Sequence, residues 1–565
     1  MASLESAKSH DLLNNQYKLS DDNPSVASGS SYATQDSGER KLAALGYTQE
    51  LNRGFSTFTN FAVSFSIISI LTGITGSYGI AFGNGGPVSA VWGWVLVAGM
   101  TSFVGLAMAE IVSALPSSGG PYFWASVLGG DRWGPLAAWV TGWFNLLGQV
   151  AVTAAIEYTL ANHLSAMIVL GTGGAGTGGK VITQGQLLGI YAGILVCHGL
   201  LNTIGTKLAA LLNGFSSVWH MVGTLVIVIV LLAVAPTHQS GSFVFGTFYG
   251  VSEVTSGITN NGYIFLVGML MSQFTITGFD ACAHMSEETV GADKSAPMAI
   301  VMAISVSAIA GFAYILAITF SIQDTSDQLT GSANGYYVGQ IFYDAFQGRF
   351  HHGGGGIVLL GIPMFAMFFC GMSSVISNSR MCWSFARDHG LPFSRIWSHV
   401  NPRVGVPVNA VWFMVTFAFL LGLPMLKSYV AFSAVVSIST IGLYISYAIP
   451  IFLRITVSRK HFVKGAFHLG FMSIPVAIIA VAWVSLITVV FVLPTAYPVT
   501  SLTLNYSPVA VGIVLVGSLV VWFLPVVGAH KWYHGAAAAK GGLAKLRVLK
   551  DYEDSVRAGT VNLSV

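Results

Sequence analysis

Between residues 58 and 527 the chain returns twelve times to an apolar stretch, each close to the roughly 20 residues that a helix needs to cross a bilayer. The stretches lie near 58–82, 88–112, 136–160, 186–205, 212–235, 261–285, 299–321, 356–380, 408–426, 429–453, 473–494 and 507–527. In hydrocarbon every backbone N–H and C=O must be paired inside the protein, and for segments of this length the helix is the form that does so. An all-α membrane protein with twelve transmembrane helices, and both termini on one side, is the expected fold class. Composition agrees, since charged residues make up 8% of the chain against about 25% in soluble proteins.

Charge tests the count. Positive residues favour cytoplasmic loops, and with cytoplasmic termini all of the 25 Lys and Arg except Lys180, Arg349 and Lys427 fall on that side. Residues 1–50 have no apolar core and are rich in Ser, Asn, Asp and Gln, so they read as a disordered cytoplasmic tail and not as a cleaved leader. Residues 51–532 form the expected twelve-helix domain and 533–565 a second cytoplasmic tail. A net charge of +3 gives no basis for a nucleic-acid partner. The four cysteines, Cys197, Cys282, Cys370 and Cys382, lie in or beside apolar spans without CxxC spacing, so neither a disulfide framework nor a metal site is expected, and no cofactor.

Two spans carry an interruption. The sixth, Y-I-F-L-V-G-M-L-M-S-Q-F-T-I-T-G-F-D from Tyr263 to Asp280, loses helix propensity at Thr275-Ile276-Thr277-Gly278 and then meets an acid. The first repeats the feature with Thr72-Gly73-Ile74-Thr75-Gly76-Ser77. A broken helix exposes backbone groups that in lipid cost several kcal/mol each unless a ligand, ion or water satisfies them. Broken helices one and six, five spans apart, point to two inverted five-helix repeats with the substrate between the breaks. Half-helix N-termini suit an anion and freed carbonyls suit an ammonium, so a zwitterion such as an amino acid fits both.

Polar residues inside the spans are functional candidates. Asp280 is read either as the N-cap of a second half-helix or as a proton- or amine-binding group. Glu110 ends the second span as an inner-gate or structural ion-pair residue, and Glu157 is read as a solvated interface carboxylate or one drawing cations into a vestibule. His220 in the fifth span packs or carries a proton, with His198 and His284 weaker versions of the same case. Asn145 and Gln149, at i and i+4, line a polar cavity or bridge helices. Gly174 to Lys180 fits GxxxxGK, but Val181 stands where magnesium needs Ser or Thr and no strand precedes, so it reads as a Gly-rich linker. No HExxH or GxSxG is present, so an enzyme is not expected. Asn505-Tyr506-Ser507 is a glycosylation sequon close to the membrane and followed by Pro508.

Taken together, Gly86-Pro87, Ala109-Glu110 to Pro116, Ser118-Gly119-Gly120-Pro121-Tyr122, Thr277-Gly278-Phe279-Asp280 with Glu287-Glu288 and Lys294-Ser295-Ala296-Pro297, and Ser379-Arg380 with Ala386 to Pro392 resemble the amino acid–polyamine–organocation superfamily from about Gly46 to Trp532. Within it, L-G-Y-x-Q-E-L-x-R at Leu45 to Arg53, S-F-S-I-I-S-I-L-T-G-I-T at Ser64 to Thr75 and Met271 to Thr289 are similar to plant bidirectional amino-acid transporters and GABA permeases, with choline permeases nearby. The resemblance implies a LeuT-like secondary transporter of amino acids, including GABA, working by alternating access, with protons as a candidate coupling partner. It places the substrate carboxylate on the Gly73–Gly76 backbone, the amine on backbone of Thr275 to Gly278, and Phe274 over the site as a gating aromatic. His220 falls where several relatives carry a basic side chain, here His and not Lys. A choline or polyamine permease is the near alternative, and a nutrient sensor without flux the distant one. The plasma membrane is the expected location, with an endomembrane as the alternative.

Overall fold

The computed structural model describes residues 42, 50–51, 53–252, 256–324, 332–426, 429–501 and 503–536. The tails expected at 1–50 and 533–565 lie outside them except for Leu42, Glu50 and residues 533–536. In chain order the α-helices are α1 (Thr57–Ile67), α2 (Ile70–Phe82), α3 (Gly86–Ala114), α4 (Pro121–Leu128), α5 (Gly130–Gly171), α6 (Gln184–Ile204), α7 (Thr206–Val234), α8 (Gly241–Gly246), α9 (Asn261–Gly268) and α10 (Leu270–Thr275). They continue as α11 (Ala281–His284), α12 (Ala292–Phe320), α13 (Tyr337–Phe350), α14 (Gly354–Arg387), α15 (Ser394–Trp397), α16 (Val408–Gly422), α17 (Tyr429–Ile455), α18 (Ser473–Val492) and α19 (Ser507–Phe523). Among the described residues there is no strand, only the isolated bridges Phe55–Thr289 and Asn401–Val406.

Among the described residues ten helical spans are long and apolar enough to cross a membrane, α1 and α2 together forming the first. The last expected stretch is the 17-residue α19, and the sixth is divided among α9, α10 and α11. Local chemistry sets the boundaries. Ser56 caps α1 by accepting the Thr59 N–H, and Thr183 with Gln186 forms a reciprocal capping box on α6. Gly85 and Gly86 at φ 93° and 65° make the sharp entry into α3, whose second residue is Pro87.

Burial sorts the helices into inner and outer. In α5, 83% of the most apolar window is inside the bundle, against 33% in both α6 and α7. The α7 face that carries Leu211, Phe215, Val218, Val222, Leu225 and Ile229 is exposed, as lipid contact requires. α5 packs against α14 and α17, and α10 against α2 and α3, so the interrupted segments sit beside the inner helices.

Candidate functional site

The sixth stretch breaks after Thr275. The Thr275 hydroxyl donates to the Met271 carbonyl at 2.7 Å and that of Thr277 to the Gln273 carbonyl, hydroxyl back-bonding that loosens a helix end. Ile276 leaves helical geometry, and Gly278 takes φ 90°, a conformation that favours glycine. A Cβ on Gly278 would also lie 2.5 Å from Ile67 Cγ2, at the end of α1. The freed Ile276 carbonyl accepts the Tyr444 hydroxyl at 2.8 Å. The interruption thus covers 276–280, while Thr275 itself closes α10.

Asp280 occupies the N-cap position of α11, but its side chain makes no capping bond. Its Oδ1 accepts the Tyr447 hydroxyl at 2.7 Å, and its Oδ2 accepts Asn145 Nδ2 at 3.2 Å and Gln149 Nε2 at 3.1 Å, with His284 Nε2 3.2 Å away. The N-cap reading is therefore corrected: the side-chain amides and the phenol outcompete the helix end because they reach a fully buried carboxylate. Asn145 and Gln149 do bridge helices, tying α5 to the broken sixth stretch. Tyr444 and Tyr447 were missed; hydroxyls three residues apart in an apolar span were the available signal.

The first stretch breaks elsewhere than expected. Thr72 to Ser77 are helical, and the chain departs at Ile68–Ser69. Ser69 caps α2, accepting the Thr72 N–H at 3.1 Å and the Thr72 hydroxyl at 2.6 Å. The glycines serve close approach and not chain interruption. A Cβ on Gly73 would meet Thr275 Oγ1 at 2.4 Å, and one on Gly76 would meet Thr159 Cγ2 at 2.2 Å. His220 Nε2 lies 2.7 Å from Ser69 Oγ, and its Nδ1 lies 2.8 Å from the Ser216 carbonyl. The histidine thus holds the cap that starts α2.

Between the two breaks lies a cavity of about 10 Å³, bounded by Ser69, Thr72 and Gly73 on one side and Phe274, Thr275 and Thr277 on the other. Ile67 of α1, Val152 and Ile156 of α5 and Cys370 of α14, not anticipated, complete its wall. This is room for about one water. Of the remaining candidates, Ile74, Thr75, Gly76, Ile276 and Gly278 are buried or helix-packing positions outside that wall, with the Thr75 hydroxyl 2.7 Å from Tyr314 Oη.

Glu110 is remote from this cavity. It accepts the Ser473 hydroxyl and the Leu469 N–H at 3.3 Å, so it anchors the start of α18. Glu157 is corrected: it is wholly buried, its Oε1 2.6 Å from His198 Nδ1 and its carboxylate facing Gly371, where any side chain would collide. Asn505 is buried too, its amide donating to the Phe491 and Leu493 carbonyls at 2.9 Å each.

The sequence motifs converge at one end of the bundle. Arg380 Nε pairs with Glu288 at 2.7 Å, and Arg387 pairs with Glu287 at 2.9 Å. Glu287 also accepts the Ser118 N–H at 3.2 Å. Gly54 and Phe55 N–H groups donate to the Glu288 carbonyl, and the Val290 N–H to that of Phe55. The segment entering α1 is thereby laced to the chain that follows the sixth stretch, and both are held to α14.

Residues 55–516 match the amino acid permease family. The chain is 48% identical over 502 residues to the amino-acid permease BAT1 of Arabidopsis thaliana, covering 88% of this chain and 96% of that relative. It is 46% identical to the BAT1 homolog of Oryza sativa subsp. japonica, covering 88% and 95%. It is 31% identical to the GABA-specific permease of Saccharomyces cerevisiae, covering 88% and 85%. With ten bilayer-length apolar spans and a family match across most of its length, the chain is an integral multi-pass membrane protein that belongs to the amino acid permease family of the amino acid–polyamine–organocation superfamily.

Proposed function

We propose that this protein is a secondary active transporter of small amino acids, GABA among them, that works by alternating access. The observation that carries the reading is the small cavity held between two interrupted stretches in a chain whose relatives are amino-acid permeases. The proposed architecture has twelve spans, α9 to α11 forming the sixth and α19 the twelfth, in two inverted five-helix repeats. Both termini are cytoplasmic, as the Lys and Arg distribution favours, and the plasma membrane is the proposed location.

In this reading the substrate carboxylate meets the start of α2, at the positive end of its dipole and ahead of the Thr72 N–H that Ser69 caps. Its ammonium meets the carbonyls freed at 275–278, and Phe274 closes over it. Gly73 acts as the contact point that lets the two interrupted stretches close, and Gly76 lets α2 lie against α5. Asp280 is spoken for by amide and hydroxyl donors, which leaves it poorly placed to serve as the lone anionic partner of a choline or polyamine cation.

The test is uptake of labelled GABA into proteoliposomes of the purified chain, with alanine, glutamate and choline as competitors. Saturable uptake that amino acids inhibit and choline does not is the expected result. Choline uptake indifferent to amino acids would place the protein among cation permeases instead.

A further inference from the structure

Histidines buried within the spans differ in what their two ring nitrogens face. A neutral imidazole carries one N–H and one lone pair, so it needs one acceptor and one donor. His163 has them, with the Leu360 carbonyl 2.9 Å from Nε2 and the Tyr336 hydroxyl 2.8 Å from Nδ1. His220 has them as well. Its Nδ1–H meets the Ser216 carbonyl, and its Nε2 accepts the one proton of Ser69, whose lone pairs receive the two Thr72 donors. His198 needs only Nδ1–H to serve Glu157.

His284 is different. Its Nδ1 lies 2.9 Å from the Ser118 carbonyl, which can only accept. Its Nε2 lies 3.2 Å from Asp280 Oδ2, an oxygen that already accepts from Asn145 and Gln149. Both contacts are hydrogen bonds only if one proton sits on Nδ1 and a second is shared between Nε2 and Oδ2, as in imidazolium against carboxylate. Shifting the Nε2 proton onto Oδ2 leaves the number of protons unchanged. Either way the pair holds one proton more than an ionised acid beside a neutral imidazole.

We infer that Asp280 and His284 form the proton-binding site that couples amino-acid movement to a proton in this transporter, with His284 the carrier. The inference rests on the transport reading above. The pair is suited to the task by position. Asp280 ends the interruption of the sixth stretch, while the Ser118 carbonyl belongs to the segment between α3 and α4. The other charged and titratable groups packed around it are committed elsewhere or act as donors. Glu287 and Glu288 pair with Arg387 and Arg380 of α14, the Tyr447 hydroxyl of α17 donates to Asp280, and Cys282 bonds the Phe279 and Ala296 carbonyls. A Cβ on Gly120 would lie 2.9 Å from the ring, so the imidazole packs against Gly120 where only glycine leaves it space. On closure an imidazole nitrogen takes a proton from a hydronium ion of the aqueous phase, leaving water, to become imidazolium. When α11 draws away from Ser118, the lost acceptor and the arrival of water return that proton to solvent and restore the neutral ring.

The experiment uses the full chain in proteoliposomes enclosing a pH-reporting dye, with labelled alanine and GABA as probes. Wild type is expected to acidify the lumen as amino acid enters and to accumulate it above equilibrium when the outside is acidic. His284→Gln, and His284→Lys with its permanent charge, are expected to lose both responses. Each should retain exchange of labelled for unlabelled amino acid within about threefold. Proton movement of wild-type size in either folded variant overturns the inference, as does wild-type amino-acid uptake without proton movement. Absence of any amino-acid exchange by wild type strikes the transport reading itself.

Discussion

Gly73→Ala is the perturbation that tests most directly how the two interrupted stretches meet. A Cβ there would stand 2.4 Å from Thr275 Oγ1 and 2.7 Å from both Thr275 Cβ and Cγ2. Carbon atoms prefer roughly 3.5–4.0 Å, so α2 and α10 must separate by about an ångström. Thr275 cannot swing clear, because its hydroxyl is bonded to the Met271 carbonyl and its Cβ moves only with the backbone. Overpacking of this kind costs about 1–3 kcal/mol. Alanine's higher helix propensity, worth up to about 1 kcal/mol, applies to open and closed forms alike and does not change their ratio. The clash is felt only where the stretches touch, so the closed form loses about 5- to 150-fold in population relative to the open one. Amino-acid uptake into proteoliposomes should fall by a comparable factor, with expression and monodispersity unchanged. Gly73→Ala with Thr275→Ala removes Oγ1 and Cγ2 but keeps the Cβ contact, so it should recover only part of the loss. Gly99→Ala, with no atom within 4 Å, is the control and should match wild type. Uptake by Gly73→Ala within twofold of wild type would refute the contact as a determinant of closure.

Further outcomes follow from the polar networks. Tyr447→Phe removes a bond to a buried carboxylate and should cost about 1.5–3 kcal/mol, more than the roughly 0.5–1.5 kcal/mol for the neutral bond lost in Tyr444→Phe; thermal unfolding in detergent checks this, and the reverse order contradicts it. Arg380→Met strands the wholly buried Glu288 and should destabilise by about 3–5 kcal/mol, with Glu288→Gln added to it restoring much of the loss. A single variant as stable as wild type would show the pair to be dispensable. The Asn505 amide is occupied by two carbonyls, so enzymatic deglycosylation of protein from a eukaryotic host should leave its gel mobility unchanged; a shift would show that the sequon is reached.

The helical, membrane-embedded class of this chain and the family to which it belongs were legible from residue order. Apolar stretches of bilayer length can satisfy their backbone only as helices, and that argument needs no partner. The interruption near Gly278 was legible for the same reason, since two threonines and a glycine weaken a helix locally. The first stretch misled because glycine has two uses. Thr72 to Ser77 look like a gap, yet the chain breaks at Ser69, where a hydroxyl caps α2 while Gly73 and Gly76 admit neighbouring helices. Sequence alone could not separate those uses, because close approach is a property of the other helix.

The polar residues divide along the same line. That Asp280, Asn145, Gln149, Glu157 and His284 were costly inside the spans could be read from position, but not what each one faces. Only tertiary packing decided that Asp280 serves three helices' donors and not a helix end, and that Glu157 meets His198 in the interior. Only packing decided, too, that two oxygens flank His284. Residue order determines which groups must be paired in a low-dielectric interior; the partners come in part from distant helices, such as Tyr447 for Asp280, and are chosen when those helices pack.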